Sequence, residues 1–401
     1  MATNRMMELA FRYKETKLWQ RMYDTELFAV RLSDGEIGYC SVMGRMGDHN
    51  ALGLYVGDEG FRSYCFLLNT PYGLLDDRAM GEMLTSQSCL QCSFETKDML
   101  SEEELQEVRR YAKRREKPLR GKNAFPQFTK YQPGRYPWHF DTKLDNQRIC
   151  EALEAAIELD GLLRRHGAER LGLVSLEESG GKIPLLVSEK DGWVVQSVPL
   201  PSGEMVYPEP VFANEVLAAR LRRKKKKGVW ECGTMRIPTP VQDEQDDEAP
   251  YFPLALLCVD RESELVQRPV VSNGDDAAEL LLSFAEMLLD APQLPKTFCC
   301  GDERSYALLK DLGAKIGILV KRTEESELLD ETMEDLLDHM GEDEDEDPDV
   351  EKLESLIEML AEMPESELAQ VPPEMSEILL EFAELDVLPK PLAKRLKKLF
   401  R

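Results

Sequence analysis

The chain has 401 residues, of which 42% are hydrophobic and 31% charged, and its formal net charge is −26. This length favours two or three domains, each large enough to bury a core. No run of about 18 apolar residues occurs, and the charged first residues do not resemble a signal peptide, so a cytoplasmic protein without membrane contact is expected. Nine scattered cysteines exclude the regular framework of a secreted disulfide-rich scaffold.

The negative charge is concentrated near the carboxyl end. Residues 324–367 carry 21 acidic side chains and one basic side chain, Lys352, and so account for −20 of the net charge. Apolar residues at three- and four-residue spacing predict amphipathic helices there, separated by the segment GEDEDEDPD, which is too charged to bury. Residues 322–401 are therefore predicted to form an acidic helical tail.

Residues 1–165 predict an amino-terminal α+β domain of helix and sheet. A helical period in RMMELAFRYKETKLW is followed by two alternating runs around the Asp-Gly pair at 34–35, which favours a hairpin turn. Further strands are predicted in ALGLYVG and SQSCLQCSFET. One helix is expected to begin at Ser101, which forms a capping box with Glu104, and a second covers residues 145–165.

Residues 166–240 predict a separate β-meander followed by a basic helix. The three predicted strands are RLGLVSLEE, IPLLVSEK and WVVQSVPLP, and the second turn contains Asp191 and Gly192. Asn214 suits the N-cap position of the helix, and Gly228 is expected to end it.

Residues 250–321 predict an α/β domain with a mixed sheet. The apolar run YFPLALLCVD is typical of a strand buried on both faces, and a second strand, LVQRPVV, follows after a turn. Helices and short strands then alternate through DDAAELLLSFAEMLL, KTFCC, DERSYALLKDLG and KIGILV, which implies parallel strands. The whole chain is therefore expected to be an α+β multidomain protein.

The motifs of several enzyme classes are missing from the sequence. Cys89 and Cys92 form the one CxxC, without the second pair that a structural zinc site needs, and their alternating surroundings predict ordinary strand cysteines. The four histidines include no pair at i, i+3 or i, i+4 spacing. Neither a phosphate-binding glycine motif nor GxSxG occurs, so these motifs predict no catalytic residue, no metal and no cofactor.

Three carboxylates of the α/β domain support an alternative, enzymatic hypothesis. Asp260 ends a buried strand, Asp302 follows a later strand, and Glu324, or alternatively Glu325 or Glu327, follows the last strand. This order resembles the ribonuclease H-like fold of nucleases, which implies two Mg or Mn ions held by the acids. The resemblance covers residues 251–325, and only two strands precede the first helix unless GVWECGTMRI supplies another.

The segment RLRRKKKKG is the candidate partner-binding site. Its seven cations are Arg220, Arg222, Arg223, Lys224, Lys225, Lys226 and Lys227. The dipole at a helix end explains two or three of them. Three interpretations are left open: a solvated helix end, a docking site for the acidic tail or an acidic protein partner, and a nucleic-acid site. The third lacks the interleaved aromatic residues of single-strand binding surfaces.

Two stretches resemble a family of bacterial proteins described only as domains of unknown function. They are LWQRMYDTELFAVRLSDGEIGYCSVMGRMGDHNALGLYVG and YFPLALLCVDRESELV. The resemblance implies bacterial origin and an intracellular, two-module layout, and it implies no activity. The sequence thus favours a non-catalytic interaction or regulatory protein that binds a macromolecular partner, with a divalent-metal nuclease-like enzyme as the alternative.

Overall fold

A computed structural model describes most of the chain, namely residues 2–47, 49–70, 77–242, 248–272, 276–323, 326–345 and residue 397. The chain divides into two units, Met1–Met333 and Glu334–Arg401. The first unit contains two mixed sheets with helices on their faces, which confirms the predicted α+β class. Most of the predicted acidic tail lies outside the described residues, and so does Glu324.

The described strands are β1 (Phe28–Arg31), β2 (Ile37–Met43), β3 (Asn50–Val56), β4 (Cys89–Glu95), β5 (Phe125–Tyr131), β6 (Lys182–Glu189), β7 (Gly192–Pro199), β8 (Val229–Arg236), β9 (Leu254–Asp260), β10 (Val270–Ser272), β11 (Thr297–Cys300) and β12 (Leu319–Arg322). The described helices are α1 (Asn4–Thr16), α2 (Gly57–Asn69), α3 (Asp77–Thr85), α4 (Glu102–Arg115), α5 (Lys143–His166), α6 (Ala168–Leu171), α7 (Glu215–Arg222), α8 (Ala277–Asp290), α9 (Glu303–Ile316) and α10 (Glu327–Asp345). Within this part of the chain, no helix is long and apolar enough to cross a bilayer.

The first sheet has the strand order β5-β4-β3-β2-β1-β6-β7. All neighbours are antiparallel except β1 and β6, which are parallel and pair Ala29 with Leu185 and Val30 with Leu186. Helices α1, α4 and α5 pack on one face of this sheet, and α2 packs on the other. The predicted hairpin turn is confirmed, since Gly35 has a positive φ of 97° that glycine adopts without strain.

The separate β-meander predicted for residues 166–240 is wrong. Only its second and third strands form, as the hairpin β6–β7, and this hairpin completes the first sheet. The segment RLGLVSLEE contains only the end of the short helix α6, followed by turns. The hairpin joins this sheet because β1 has a second edge that β2 does not pair. Residues Phe28–Val30 are fully buried, so the backbone N–H and C=O groups on that edge need hydrogen bonds from another strand.

The second sheet has the order β10-β9-β8-β11-β12. Strands β8, β9 and β10 are antiparallel neighbours, whereas β11 is parallel to both β8 and β12, which confirms the predicted mixed sheet. Helices α7, α8 and α9 cover one face and bury Trp230 and Phe298 beneath Phe284 and Leu308. The segment GVWECGTMRI forms the central strand β8, so it belongs to this sheet and not to a preceding domain.

The end of the basic helix also differs from the prediction. Helix α7 begins after its predicted N-cap, Asn214, but ends at Arg222 instead of Gly228. The following residues are extended, because the carbonyl of Lys225 accepts a hydrogen bond from the N–H of Leu294, and the N–H of Lys227 donates to the carbonyl of Leu294. Four of the seven cations therefore lie beyond the helix and its C-cap: Lys224 continues the final turn by donating its N–H to the carbonyl of Leu221, and the other three lie on the extended segment.

Candidate functional site

The carboxyl ends of β8 and β11 form the first candidate site. These strands are parallel neighbours, and the chain leaves them towards opposite sides of the sheet, from β8 to β9 and from β11 to β12. Ligands of open α/β sheets bind in the crevice outside such a point of reversal. Thr234 and Asp302 mark this position.

The carboxylate of Asp302 is bonded within its own domain. One oxygen accepts a hydrogen bond from the backbone N–H of Thr234 at 2.7 Å. The other accepts from the Thr234 hydroxyl at 2.8 Å and from the backbone N–H of Ser305 at 2.7 Å. Asp302 is thus the N-cap of α9 and ties the start of this helix to β8.

The structure places Asp260 at the other end of the sheet. Its carboxylate accepts hydrogen bonds from the backbone N–H groups of Glu262 and Ser263 and from the indole N–H of Trp230 at 3.0 Å. Burial opposes ionisation of Asp260, but these hydrogen bonds outweigh burial and lower the pKa of its carboxyl. Asp260 therefore stabilises the turn that follows β9.

The predicted grouping of Asp260 with Asp302 is corrected by the strand register. Asp260 pairs with Trp230, whereas Asp302 bonds to Thr234, four residues further along β8. At about 3.3 Å per residue the two acids are roughly 13 Å apart along the strand, too far to share two adjacent metal ions. Among the described residues, no group of three or more His, Cys, Asp and Glu side chains could hold a metal ion.

Glu231 is a buried carboxylate that the sequence analysis did not select. Its side chain is 4% exposed, and one oxygen accepts hydrogen bonds from Arg261 at 2.7 Å. The other oxygen accepts from the backbone N–H of Leu329, in the first turn of α10, at 3.2 Å. Glu231 thus compensates its burial with an ion pair and attaches the start of α10 to the sheet. The sequence signal for this buried carboxylate was a single acidic residue within the otherwise uncharged strand pattern VWECGTM.

A second cluster of charged groups joins α3 to α9. The guanidinium of Arg304, in the first turn of α9, donates two hydrogen bonds to the carboxylate of Glu82, at 3.0 and 2.5 Å. Arg304 also lies over the ring of Tyr207, 4.8 Å from its centroid, and Ser86 donates to Glu82 at 3.0 Å. Arg304 lies two residues after Asp302, so α3 contributes the carboxylate of Glu82 near the carboxyl ends of β8 and β11.

The Glu82–Arg304 pair is mostly buried, with side-chain exposures of 23% and 14%. Burial alone would raise the pKa of Glu82, but the charge of Arg304 and its hydrogen bonds outweigh burial, so the pKa of Glu82 is lowered. The same contact raises the pKa of Arg304 against the effect of burial. Both groups remain charged at neutral pH, and each compensates the other.

The backbone adds hydrogen bonds at the same junction. The N–H of Tyr136 donates to the carbonyl of Pro250 at 2.7 Å, and the N–H of Phe252 donates to the carbonyl of Gly134 at 2.8 Å. The guanidinium of Arg135 donates to the carbonyl of Ala249 at 2.8 Å. The chain after β5 is therefore joined to the chain before β9 by strand-like contacts, in addition to the Glu82–Arg304 ion pair that joins α3 to α9.

Two cations of the segment RLRRKKKKG, which we call the basic run, stabilise the ends of neighbouring helices. Arg222 donates to the carbonyl of Lys315, in the last turn of α9, at 2.8 Å. The ammonium of Lys224 donates to three carbonyls at the end of α8, including that of Leu288 at 3.0 Å. The last carbonyls of a helix lack partners within the helix and carry partial negative charge, so both contacts are favourable.

The other five cations fall into two groups. Lys226 donates to the carbonyl of Arg222 at the end of α7, and Lys227 pairs with Glu262 at 2.8 Å. The remaining three side chains, Arg220, Arg223 and Lys225, are exposed, and no hydrogen bond or ion pair joins them to the described residues. We refer to these three residues as the exposed basic site.

The CxxC cysteines lie in β4, as predicted. Cys89 and Cys92 are both buried and unpaired by a disulfide. Burial raises the pKa of the Cys89 thiol to about 12 and also raises that of Cys92. Since the thiolate is the reactive form, these thiols are unreactive at neutral pH.

A groove of about 360 Å³ lies between β10 and α8. Its lining includes Arg268, Glu286 and Asp290, and it contains none of the predicted site residues. One cation and two acids line the groove, so its charge does not select an anionic ligand.

Comparison with known protein families divides the chain in a similar way to its two sheets. A model described as a domain of unknown function, DUF7309, matches residues 4–170, and a second such model, DUF6930, matches residues 217–337. The chain carries both domains of unknown function. The predicted resemblance to domains of unknown function is thereby confirmed. No curated protein and no solved structure matches the chain.

The structure extends the DUF7309 region beyond its matched residues. The match ends at residue 170, but β6 and β7, at residues 182–199, belong to the same sheet. The DUF6930 match begins within α7 and includes all five strands of the second sheet. The exposed basic site lies near the start of the DUF6930 region, and the Glu82–Arg304 pair joins the two regions.

Proposed function

We propose that this chain is a non-catalytic, cytoplasmic interaction protein that binds an acidic segment of a protein partner through the exposed basic site. The observation that carries this proposal is the division of the seven cations. Arg222, Lys224, Lys226 and Lys227 bind groups of their own domain, whereas the exposed basic site directs its charges to solvent.

The internal contacts of the run favour binding by the remaining cations. Hydrogen bonds on both sides of Lys226 fix the backbone against Leu294, and Arg222 and Lys224 attach it to the ends of α9 and α8. Charges presented from a fixed backbone lose less conformational entropy on binding than charges on a free segment. An acidic peptide is the complementary ligand, and no aromatic side chain lies between the cations to stack on bases.

The direct test is fluorescence anisotropy with the full chain and a labelled oligoglutamate peptide, compared with a labelled DNA duplex, in low and in physiological salt. Each exposed ion pair contributes about 0.5 kcal/mol, so the variant Arg220→Gln/Arg223→Gln/Lys225→Gln is expected to bind the peptide roughly tenfold more weakly. Binding by the wild type is expected to weaken as salt increases.

The matched control removes three charges elsewhere, on the exposed surface of α4, as Arg109→Gln/Arg110→Gln/Lys113→Gln. Net charge changes equally in both variants, so a site-specific effect appears only when the exposed basic site is altered. Equal weakening by both variants would show that peptide binding depends on net charge and not on the exposed basic site. Tighter binding of the DNA duplex than of the peptide would identify nucleic acid, and not a protein, as the partner.

The alternative is a divalent-metal nuclease-like enzyme, and one specific observation favours it. Strand β8 supplies the third strand before α8 that the ribonuclease H-like resemblance requires, and Asp302 follows β11. The separation of Asp260 from Asp302 and the hydrogen bonds of Asp302 to Thr234 and Ser305 support the non-catalytic proposal instead.

The two functions are separated by assaying cleavage of single- and double-stranded nucleic acid with Mg²⁺ or Mn²⁺. Asp302→Asn is the informative variant, because asparagine also caps helices and should preserve the start of α9. The interaction proposal expects no cleavage by the wild type. Metal-dependent cleavage that Asp302→Asn abolishes would establish the enzyme.

A further inference from the structure

The four outer strands of the two sheets differ in how they are protected from pairing with another chain. Strand β5 contains Pro126, and its Lys130 already exchanges backbone hydrogen bonds with Trp138. Strand β10 has three residues, and β12 has four, two of which are charged. Short length, proline, charge and covering segments are the usual means of protecting a sheet edge.

Strand β7 has none of these features along most of its length. It has eight residues, GWVVQSVP, with no charged side chain and with proline only at its last position. Every residue of β7 is at least partly accessible to solvent, and Val194 is 39% exposed. Among the described residues, no strand pairs with its outer edge. An exposed, uncharged edge of this length is a template for a further strand.

The backbone groups available on this edge follow from the pairing with β6. The N–H of Leu200 donates to the carbonyl of Gly181, and hydrogen-bonded pairs alternate along an antiparallel ladder. Val198, Gln196 and Val194 therefore bond to β6. The N–H and C=O groups of Trp193, Val195 and Ser197 point away from it. Pro199 falls in the same outward register, where its missing N–H leaves β6 unaffected.

We propose that the chain forms a two-fold symmetric dimer in which β7 pairs antiparallel with β7 of a second copy, centred on Val195. This register places Val195 opposite Val195 of the other protomer and Trp193 opposite Ser197. Each outward N–H then meets an outward C=O, and the two seven-stranded sheets become continuous. The proposal is independent of the exposed basic site.

The self-complementarity of the outward groups is the reason for choosing a second copy as the occupant, because in the register centred on Val195 the outward N–H and C=O groups of Trp193, Val195 and Ser197 meet those of the same strand in the other protomer. Two chains that each carry a net charge of −26 repel one another, so they associate most easily through a neutral surface. No ionisable side chain lies within β7 itself. At the hairpin tip, the same register sets Asp191 opposite Pro199 and Lys190 opposite Leu200, so like charges are not brought face to face.

The test is sedimentation equilibrium of the full chain over a range of concentrations. The wild type is expected to show a monomer–dimer equilibrium. Val195→Pro removes the central outward N–H of each protomer while preserving the bonds of β7 to β6, and should weaken dimerisation about thirtyfold. A wild type that is monomeric throughout would overturn the proposal, as would a dimer unaffected by Val195→Pro.

A charge exchange at the same position keeps the test valid if the proline variant fails to fold. Val195→Lys and Val195→Glu each place like charges opposite one another across the two-fold axis, so each variant alone is expected to be monomeric. An equimolar mixture should restore the dimer, because lysine then faces glutamate. Monomeric variants whose mixture also remains monomeric would overturn the proposed register. The thermal unfolding transition verifies that each variant is folded.

Discussion

The carboxylate of Glu82 accepts two hydrogen bonds from the guanidinium of Arg304, a residue 222 positions later in the chain. One partner lies on a helix of the DUF7309 region and the other in the first turn of a helix of the DUF6930 region. Because both side chains are mostly buried, each charge depends on the other for compensation. The two regions are therefore expected to unfold together.

Replacing Glu82 with glutamine should destabilise the protein. The change leaves the guanidinium of Arg304 without its counter-charge, and we expect a loss of about 2–4 kcal/mol in the free energy of unfolding, discounted for partial exposure. Urea denaturation followed by circular dichroism measures this loss. Glu178→Gln, at an exposed position, should change stability by less than about 0.5 kcal/mol. Equal effects of the two substitutions would show that the pair does not stabilise the junction.

The same pair predicts a dependence of stability on pH. The pKa of Glu82 is lower in the folded protein than its ordinary value of 4.5. Its contribution is therefore fully present above about pH 4.5 and is lost as pH falls through the folded-state pKa. The stability difference between wild type and Glu82→Gln, measured at pH 7, 5 and 4, should be constant at first and then decrease. A difference that grows towards acid pH would contradict this sign.

The adjacent lysines at 224 and 225 should respond differently to the same substitution. Lys224→Met removes an ammonium group from the carbonyl end of α8 and should cost about 1–2 kcal/mol of stability. Lys225→Met alters an exposed side chain of the exposed basic site and should change stability by less than about 0.5 kcal/mol. Thermal unfolding of both variants tests the contrast. The charge change is the same in both, so equal shifts would exclude the capping role of Lys224.

Two glycines should give opposite effects when replaced by alanine. A Cβ at Gly233 would lie 2.8 Å from Leu329, 2.9 Å from Met333 and 3.2 Å from the Asp302 carboxylate. We expect Gly233→Ala to cost roughly 1–3 kcal/mol through overpacking between β8 and α10. A Cβ at Gly81, within α3, meets nothing within 4 Å, and Gly81→Ala should stabilise by up to about 1 kcal/mol. Chemical denaturation of both variants measures the two signs.

Local features of the fold could be predicted from the sequence because their causes are local. Ser101 and Glu104 form the expected capping box of α4, and the apolar run at residues 254–260 forms the buried strand β9. Asn214 caps α7 through the N–H of Leu217, as its position suggested. Capping groups and strand burial depend on neighbouring residues, so a short window contains the information.

The partners of strands and charges depend on residues far apart in the chain, and there the sequence was insufficient. The alternation of apolar and polar residues predicted strands at β6 and β7, but this pattern contains no information about which strand β6 pairs with. The order of Asp260 and Asp302 did not reveal that β9 runs antiparallel to β8, which places Asp260 at the opposite end of the sheet. Glu82 has the sequence surroundings of an ordinary surface helix, and only the fold places it against Arg304.

The parallel pairing of β1 with β6 also has a consequence for the order of events during protein synthesis. Strand β1 is complete by residue 31, but its second neighbour contains Leu185 and Leu186. The second edge of β1, beside Phe28 and Val30, therefore stays unpaired while the ribosome translates the segment between β1 and β6. The nascent chain exposes this strand edge during that time. A chain released at residue 170, where the DUF7309 match ends, would retain this edge permanently and would be prone to aggregate.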